Sequence, residues 1–289
     1  MTPTSTLTLR TARPDDAEAC GRICFEAFRH IAERHAFPPD FPEPAAAIGA
    51  LSLLLGRPGV HGVVAERDGR VVGSNFLWEA TAIAGIGPIT IDPAAQDGRV
   101  GRALMEHVLA RADERGALSV RLVQAAYHNR SLSLYTKLGF DVREPLSVLQ
   151  GPPPRVRLAG HDVRAVEPDD LPDCNALCRR VHGHDRAPEL ADALTAGGAL
   201  LVERHGRITG YATPFGFFGH AVGESDADLA ALIGAAPAFT GPGMLLPTRN
   251  GELLRWCLGH GLRVVQPMSL MSRGLYAEPR GAFLPSIIY

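Results

Sequence analysis

Apolar residues recur along this chain at helical and at strand periods. Val100, Leu104 and Val108 stand four apart, with Met105, Leu109 and Ala112 beside them, which predicts an amphipathic helix. The apolar strand Ile86–Asp92 precedes it and stops at Pro93, and the polar turn Gln96-Asp97-Gly98-Arg99 joins the two. Downstream, the strand Ser119–Tyr127 runs into a second amphipathic stretch that begins at Asn129. Glu66–Gly73 and Glu203–Gly210 both read as hairpins turning at a glycine.

The hairpins belong to a longer repetition. Leu9-Arg10, Pro14-Asp15-Asp16, Cys20 and Cys24 recur at one constant offset as Val163-Arg164, Pro168-Asp169-Asp170, Cys174 and Cys178. Gly139 and Pro145-Leu146-Ser147 recur as Gly261 and Pro267-Met268-Ser269. These matches, in one order, indicate two copies of a unit, residues 1–152 and 155–289, with Gly151-Pro152-Pro153-Pro154 as a stiff spacer. Each copy reads strand, helix, hairpin, strand, helix, strand, helix, strand: an α/β unit with a mixed central sheet flanked by helices. The copies part between the second copy's strands Ile208–Phe218 and Met244–Pro247. There a helix start, Gly223-Glu224-Ser225-Asp226-Ala227-Asp228-Leu229, carries three carboxylates and no arginine. Asn250 stands opposite Asn129, and Trp256 falls near the Tyr135 position.

A strand, a glycine turn and a helix N-terminus form a site for a pyrophosphate, because the first helical N–H groups lack partners and the helix dipole favours negative charge there. Arg99 and Arg102 add positive charge. A nucleotide P-loop is excluded by the missing Gly-Lys-Ser/Thr, and a dinucleotide fold by the glycine spacing and the absent ribose-binding acid. The second copy, with acids of its own at this place, would repel a pyrophosphate.

Two segments together resemble the GNAT acyl-CoA N-acyltransferases. Gln96-Asp97-Gly98-Arg99-Val100-Gly101-Arg102-Ala103 is similar to that family's Q-x-x-G-x-G/A turn. Asn129-Arg130-Ser131-Leu132-Ser133-Leu134-Tyr135-Thr136-Lys137-Leu138-Gly139-Phe140 is similar to its N-x-x-(A/S)-x-x-x-Y-x-K-x-G-F segment. Arg99 stands where the family usually has glycine, so either the turn slips by one residue or Arg99 takes the glycine conformation with its side chain outward.

The resemblance implies two tandem GNAT-like domains, the second degenerate, and transfer of an acetyl group from acetyl-CoA to the amine of a small molecule by direct attack in a ternary complex. Ile89, Thr90 and Ile91 would pair with the pantetheine arm as another strand does, the Ile91 N–H polarising the thioester. Gln96, Asp97, Gly98, Arg99, Val100, Gly101, Arg102 and Ala103 would form the pyrophosphate turn. Asn129 and Ser131 would meet the pantetheine, with Asn129 also a candidate helix cap. Lys137 or Arg130 would meet phosphates, and Tyr135 would protonate the departing thiolate. Glu79, His128, an ordered water and the Tyr289 carboxylate of an apolar, docking tail are the open choices of general base. The acceptor would enter past His30, Glu33, His35 and the stiff rim Phe37-Pro38-Pro39-Asp40-Phe41-Pro42, where Glu33, Asp40 and Glu43 attract an amine. A non-catalytic acyl-CoA sensor is the alternative; a protein or lysine acetylase would need a more open groove than that rim allows.

Bulk properties bound the rest. The chain has 289 residues, a net charge of -2 and 46% hydrophobic residues, so no basic footprint suggests nucleic acid. No stretch reaches membrane-spanning length, and Met1-Thr2-Pro3-Thr4-Ser5 does not read as a secretion signal. Five cysteines suit buried, reduced thiols in the cytoplasm, and His182-Gly183-His184-Asp185 reads as exposed loop histidines, so no metal is expected. A homodimer is left open.

Overall fold

The computed structural model describes residues 6–96 and 99–288, so Asp97, Gly98 and Tyr289 from the sequence reading lie outside the described residues. The first half runs β1 (Leu7–Thr11), α1 (Ala17–Arg34), α2 (Pro44–Gly56), β2 (Val60–Arg67), β3 (Arg70–Trp78), β4 (Ile83–Ile86), β5 (Thr90–Ile91), α3 (Val100–Glu114), β6 (Ser119–Ala125), α4 (Asn129–Lys137) and β7 (Asp141–Gln150). The second half runs β8 (Asp162–Ala165), α5 (Leu171–His182), α6 (Ala187–Thr195), β9 (Leu200–Arg204), β10 (Arg207–Ala212), β11 (Ala221–Gly223), α7 (Asp226–Ala235), β12 (Met244–Pro247), α8 (Gly251–Gly259), β13 (Arg263–Gly274) and β14 (Ala282–Leu284).

The helical period of α3 becomes packing. Val100, Leu104, Met105, Val108, Leu109 and Ala112 are all buried in one cluster with Val63, Leu77 and Val120 of the sheet. Gly73 permits the close approach: a Cβ there would lie 2.8 Å from the Thr90 carbonyl oxygen and 3.2 Å from Leu104 Cδ1. Two expected strands are shorter than their apolar runs suggest. Ile86–Asp92 breaks at Gly87-Pro88-Ile89, where Pro88 has no N–H for a ladder. Ile208–Phe218 stops at Ala212, because Pro214 follows and the chain folds back with Thr213 N–H donating to the His220 carbonyl at 2.9 Å.

Duplication is visible in matching ion clusters. Arg10 donates to Asp16 at 2.8 Å and to Glu66 at 2.7 Å, and Arg164 donates to Asp170 at 2.6 Å and to Glu203 at 2.6 Å. The copies do not lie side by side as closed units, however. Among the described residues, a nine-stranded sheet has the order β1-β2-β3-β4-β6-β13-β7-β12, with β5 on β3. Thus β13 of the second half inserts between β6 and β7 of the first, and β7 inserts between β13 and β12 of the second. Each half closes the other's sheet. A smaller five-stranded sheet, β14-β11-β10-β9-β8, completes the second half.

The five cysteines are free and buried, and burial pushes the Cys20 thiol up to about 11 and Cys174 up to about 12. They are apolar filling in this form. Among the described residues no helix is long and apolar enough to cross a membrane.

Candidate active site

A wedge opens in the large sheet. β4 pairs with β6 in parallel only from Ile83 to Gly85. Past the break at Pro88, β5 stays with β3 (Gly73 opposite Ile91, Ser74 opposite Thr90), so that among the described residues no strand pairs with the β6 edge beyond Arg121 on that side. Asp92 N–H donates to the Val72 carbonyl at 2.9 Å. Strand alternation then aims Thr90 at β3 and the backbone groups of Ile91, and of Ile89 by the same step, into the wedge. The Thr90 hydroxyl and both polar atoms of the Gln124 amide are buried beside it with no partner among the described residues. Gln124, a polar residue interrupting an apolar strand, was a legible signal that sequence reading passed over.

At the wide end stands the N-terminus of α3. Arg99 occupies the left-handed region, φ +60° and ψ +6°, with an exposed side chain. The chain therefore keeps the glycine conformation without the glycine. Among the described residues no side chain caps α3. Its first intrahelical bond already uses the Ala103 N–H, which donates to the Arg99 carbonyl at 3.1 Å. Of the N–H groups expected to form the cradle, that of Ala103 is therefore engaged inside the helix. Arg102 pairs with Glu106 on the surface at 3.0 Å. A Cβ on Gly101 would meet Ile91 Cδ1 at 3.2 Å, so this glycine lets the helix start seat against β5. Arg130 donates to the Gln96 side chain at 3.4 Å, which brings both to one lip. Lys137 lies at the far end of α4, about 12 Å along the axis from Asn129.

On α4, the cap is His128 rather than Asn129: the Ser131 N–H donates to His128 Nδ1 at 3.0 Å. Asn129 is the exposed first helical residue, its carbonyl accepting from Ser133 Oγ at 2.8 Å. Asn250 caps α8 in the same way, donated to by Leu253 N–H, so Asn250 matches His128 and Cys257 matches Tyr135. The expected pairings of Asn250 with Asn129 and of Trp256 with Tyr135 were each one residue out of step. Tyr135 is buried, shares a hydrogen bond with Ser131, and is pushed up to about 12 by burial.

The His128 cap removes that ring from the choice of base, because its Nδ1 lone pair is spent on the helix. Burial lowers its pKa from 6.5, so the folded state favours the neutral ring. The stabilisation is then complete above pH 6.5 and falls as the unfolded chain takes up a proton below it. His128→Ala is expected to cost about 1 kcal/mol at pH 7.5, and His128→Asn to recover the cap and flatten the acid slope. Urea titrations across pH check both; an unchanged midpoint for His128→Ala disproves the cap.

The second half fills the equivalent places with its own chain. Gly210 opposite Gly223 repeats Gly73 opposite Ile91, and the Glu224 N–H donates to the Thr209 carbonyl at 2.8 Å as Asp92 does to Val72. On the free edge so defined, β14 pairs along β11, with Ala221 opposite Leu284 and Gly223 opposite Ala282. At the start of α7, buried Asp228 accepts from Thr209 and Ser225 hydroxyls, each at 2.5 Å, and Asp226 accepts from Asn250 at 2.6 Å. The tail beyond β14 is docked too, with Ser286 and Ile288 buried.

Trp78 donates to the Gly87 carbonyl at 3.0 Å and lines a cavity of about 440 Å³ whose walls include Ile83 of β4 and Pro188 and Asp192 of α6. Glu79 is engaged elsewhere. Arg111 donates to it at 2.6 and 2.7 Å and holds its carboxyl below the usual range, which makes it a weak base. It also neighbours Trp78, whose partner Gly85 lies in the closed part of the wedge. The connection between α1 and α2 reaches the wedge instead: Phe37 stacks on Tyr127 at 4.2 Å, and Asp40 accepts from Gln266 at 3.3 Å. His182 and His184 are not exposed loop histidines. They pack beside Phe283 and each other, and burial drives the pKa of His184 down to about 4. Among the described residues no group of acidic, cysteine and histidine side chains is gathered for a metal.

Residues 25–140 match the model of the acetyltransferase (GNAT) family. An "IAA acetyltransferase" of Azospirillum brasilense is 32% identical over 115 residues, which span 38% of this chain and 74% of that protein. Two solved structures share the fold across both halves. A Pyrococcus horikoshii protein assigned as an acetyltransferase superposes with TM-score 0.70 at 18% identity, covering 98% of this chain and 92% of its own. A tandem GNAT protein from the clavulanic acid biosynthesis pathway superposes with TM-score 0.57 at 12% identity, covering 92% of this chain and 98% of its own.

Proposed function

The chain belongs to the GNAT acetyltransferase family, and from that premise we propose that residues 1–152 hold acetyl-CoA in the wedge and pass its acetyl group to the amine of a small molecule, while residues 155–289 bind none. One observation carries this reading. The backbone edge of Ile89–Ile91 is open in the first half, and the equivalent edge Ala221–Gly223 is closed by β14 in the second. An extended pantetheine arm bearing amide groups is the ligand analogue of such a strand.

The residues then take these roles. The Ile91 N–H faces the wedge and polarises the thioester carbonyl. N–H groups of Val100, Gly101 and Arg102 hold the pyrophosphate, with Arg99, Arg102 and Arg130 supplying positive charge. Ser131 orients the Tyr135 hydroxyl, which protonates the leaving sulfur. Asn129 and Gln96 contribute polar contacts at the lip.

Calorimetry tests the reading. One equivalent of acetyl-CoA is expected to bind per chain. Arg102→Asp, which places a carboxylate where α7 carries Asp228, is expected to weaken binding about tenfold or more. Two equivalents per chain would contradict the closed second half. A panel of small amines separates the enzyme from a sensor: binding with no amine acetylated rejects catalysis.

A further inference from the structure

With His128 spent on a helix cap and Glu79 held by Arg111, the proton acceptor for the incoming amine must lie elsewhere. Asp40 sits on the α1–α2 connection, half-buried, and accepts a hydrogen bond from Gln266 Nε2 at 3.3 Å. Gln266 is 2% exposed and belongs to β13, the strand that the second half inserts into the first half's sheet. Its other amide atom accepts from the Tyr127 hydroxyl at 3.3 Å. Tyr127 lies between β6 and α4, one residue before the His128 cap. Phe37 stacks on its ring at 4.2 Å and His35 packs at 5.3 Å, so the connection is pinned to the lip of the wedge. Among the described residues no basic side chain forms an ion pair with Asp40, whereas Glu79 has Arg111 and Asp92 has Arg70. A carboxylate with no cation of its own, beside a wedge fitted for a thioester, is a place for a substrate ammonium.

We propose that Asp40 receives the proton of a primary-amine acceptor and that Gln266, supplied by the second half, is the positioning residue that aims it. This rests on the acetyltransferase reading above. An ammonium docks on Asp40 and gives it one proton. The freed lone pair forms the C–N bond to the thioester carbon. As the C–S bond breaks, sulfur takes a proton from Tyr135, and the second proton lost from nitrogen restores the phenol through water. Asp40 returns its proton to solvent, so one amide, one thiol and one proton leave for each ammonium and thioester consumed.

Desolvation raises the Asp40 pKa from its ordinary value against a smaller lowering by the Gln266 N–H, a shift in the direction that suits a base. The groups facing it are Cys24 of α1, Tyr127 and Gln266, with His35 on its own connection and His128 beyond Tyr127. The acid limb of kcat/KM therefore reports Asp40. Gln266→Leu removes a donor that favours the ionised form, so the limb moves to higher pH while the plateau above it survives.

The experiment uses the full chain and two acceptors: the primary alkylamine that the wild type acetylates fastest in a panel from methylamine to benzylamine, and hydroxylamine, which is already neutral at pH 7. Asp40→Asn keeps the shape and the Gln266 contact. It is expected to lower transfer to the alkylamine by about a hundredfold or more, to leave transfer to hydroxylamine unchanged, and to leave acetyl-CoA affinity and Tm unchanged. Equal loss with both acceptors, or no loss with either, overturns the assignment of Asp40, as does a Gln266→Leu profile that does not move. A wild type that acetylates no acceptor rejects the acetyltransferase reading itself, which sets that failure apart from the failure of Asp40.

Discussion

Residues 1–152 expressed alone are expected not to fold, although they contain both sequence motifs on which the acetyl-CoA proposal rests. The sheet explains why. Without the second half, β6 and β7 lose β13, the strand that lies between them, and β7 also loses β12. Ile83, Leu146 and Val148, each at most 5% exposed, pack with Leu245, Met268 and Leu270 of the second half, and Leu149 packs with Leu246 and Leu253. Burial of an aliphatic side chain contributes roughly 1.5–3 kcal/mol, so uncovering these four costs roughly 6–12 kcal/mol. A domain's entire stability is about 5–15 kcal/mol. Co-expression of 155–289 with 1–152 is expected to restore a soluble complex that binds acetyl-CoA. Circular dichroism melts and size-exclusion chromatography decide the matter. A cooperative transition from 1–152 alone, with acetyl-CoA binding intact, would show that the exchanged strands are dispensable.

That exchange marks the limit of what the sequence made legible. The α3 period and the duplication follow from local spacing, and the structure has both; the order of elements was incomplete, because each copy has two helices, α1 and α2 or α5 and α6, where one was expected before the hairpin. Local spacing also exposed the acids at Asp226 and Asp228 that fill the second copy's helix start. Which strand neighbours which is a different kind of fact. β13 would bury Met268 and Leu270 whether it closed its own half or the other, and nothing in its period distinguishes the two. Asp40 shows the same limit at the site: its acidity was plain, but its partner Gln266 is 226 residues away. Arg99 could be read two ways, because a non-glycine residue in the left-handed region costs only about 1 kcal/mol, within what packing of α3 supplies. The one-residue slip that set Asn250 against Asn129 came from matching residue types; the helix caps set the register instead.

Tyr135→Phe is expected to lower kcat about a hundredfold, equivalent to about 2.7 kcal/mol of transition-state stabilisation, with acetyl-CoA affinity unchanged. The substitution is nearly silent for packing. The ring is 6% exposed and meets Phe140 edge-on at 6.2 Å, contacts that phenylalanine keeps. What it removes is a hydroxyl beside Ser131 whose pKa burial pushes up to about 12, so the proton stays on oxygen throughout the neutral range and is there to be given. A purely structural tyrosine would show a lowered Tm and proportionate loss with every thioester. A proton donor to sulfur predicts a narrower defect, because an aryl thioester of acetate expels a stable thiolate without help. Wild type and Tyr135→Phe should therefore converge when the thiol leaving group becomes acidic and diverge when it is the alkyl thiol of CoA. The second half makes the same point by contrast: Cys257, buried and pushed up to about 12, occupies the corresponding turn of α8, where β14 has closed the strand edge that a thioester would need. Equal rates for the two proteins with acetyl-CoA would remove Tyr135 from the chemistry and leave it as a core residue.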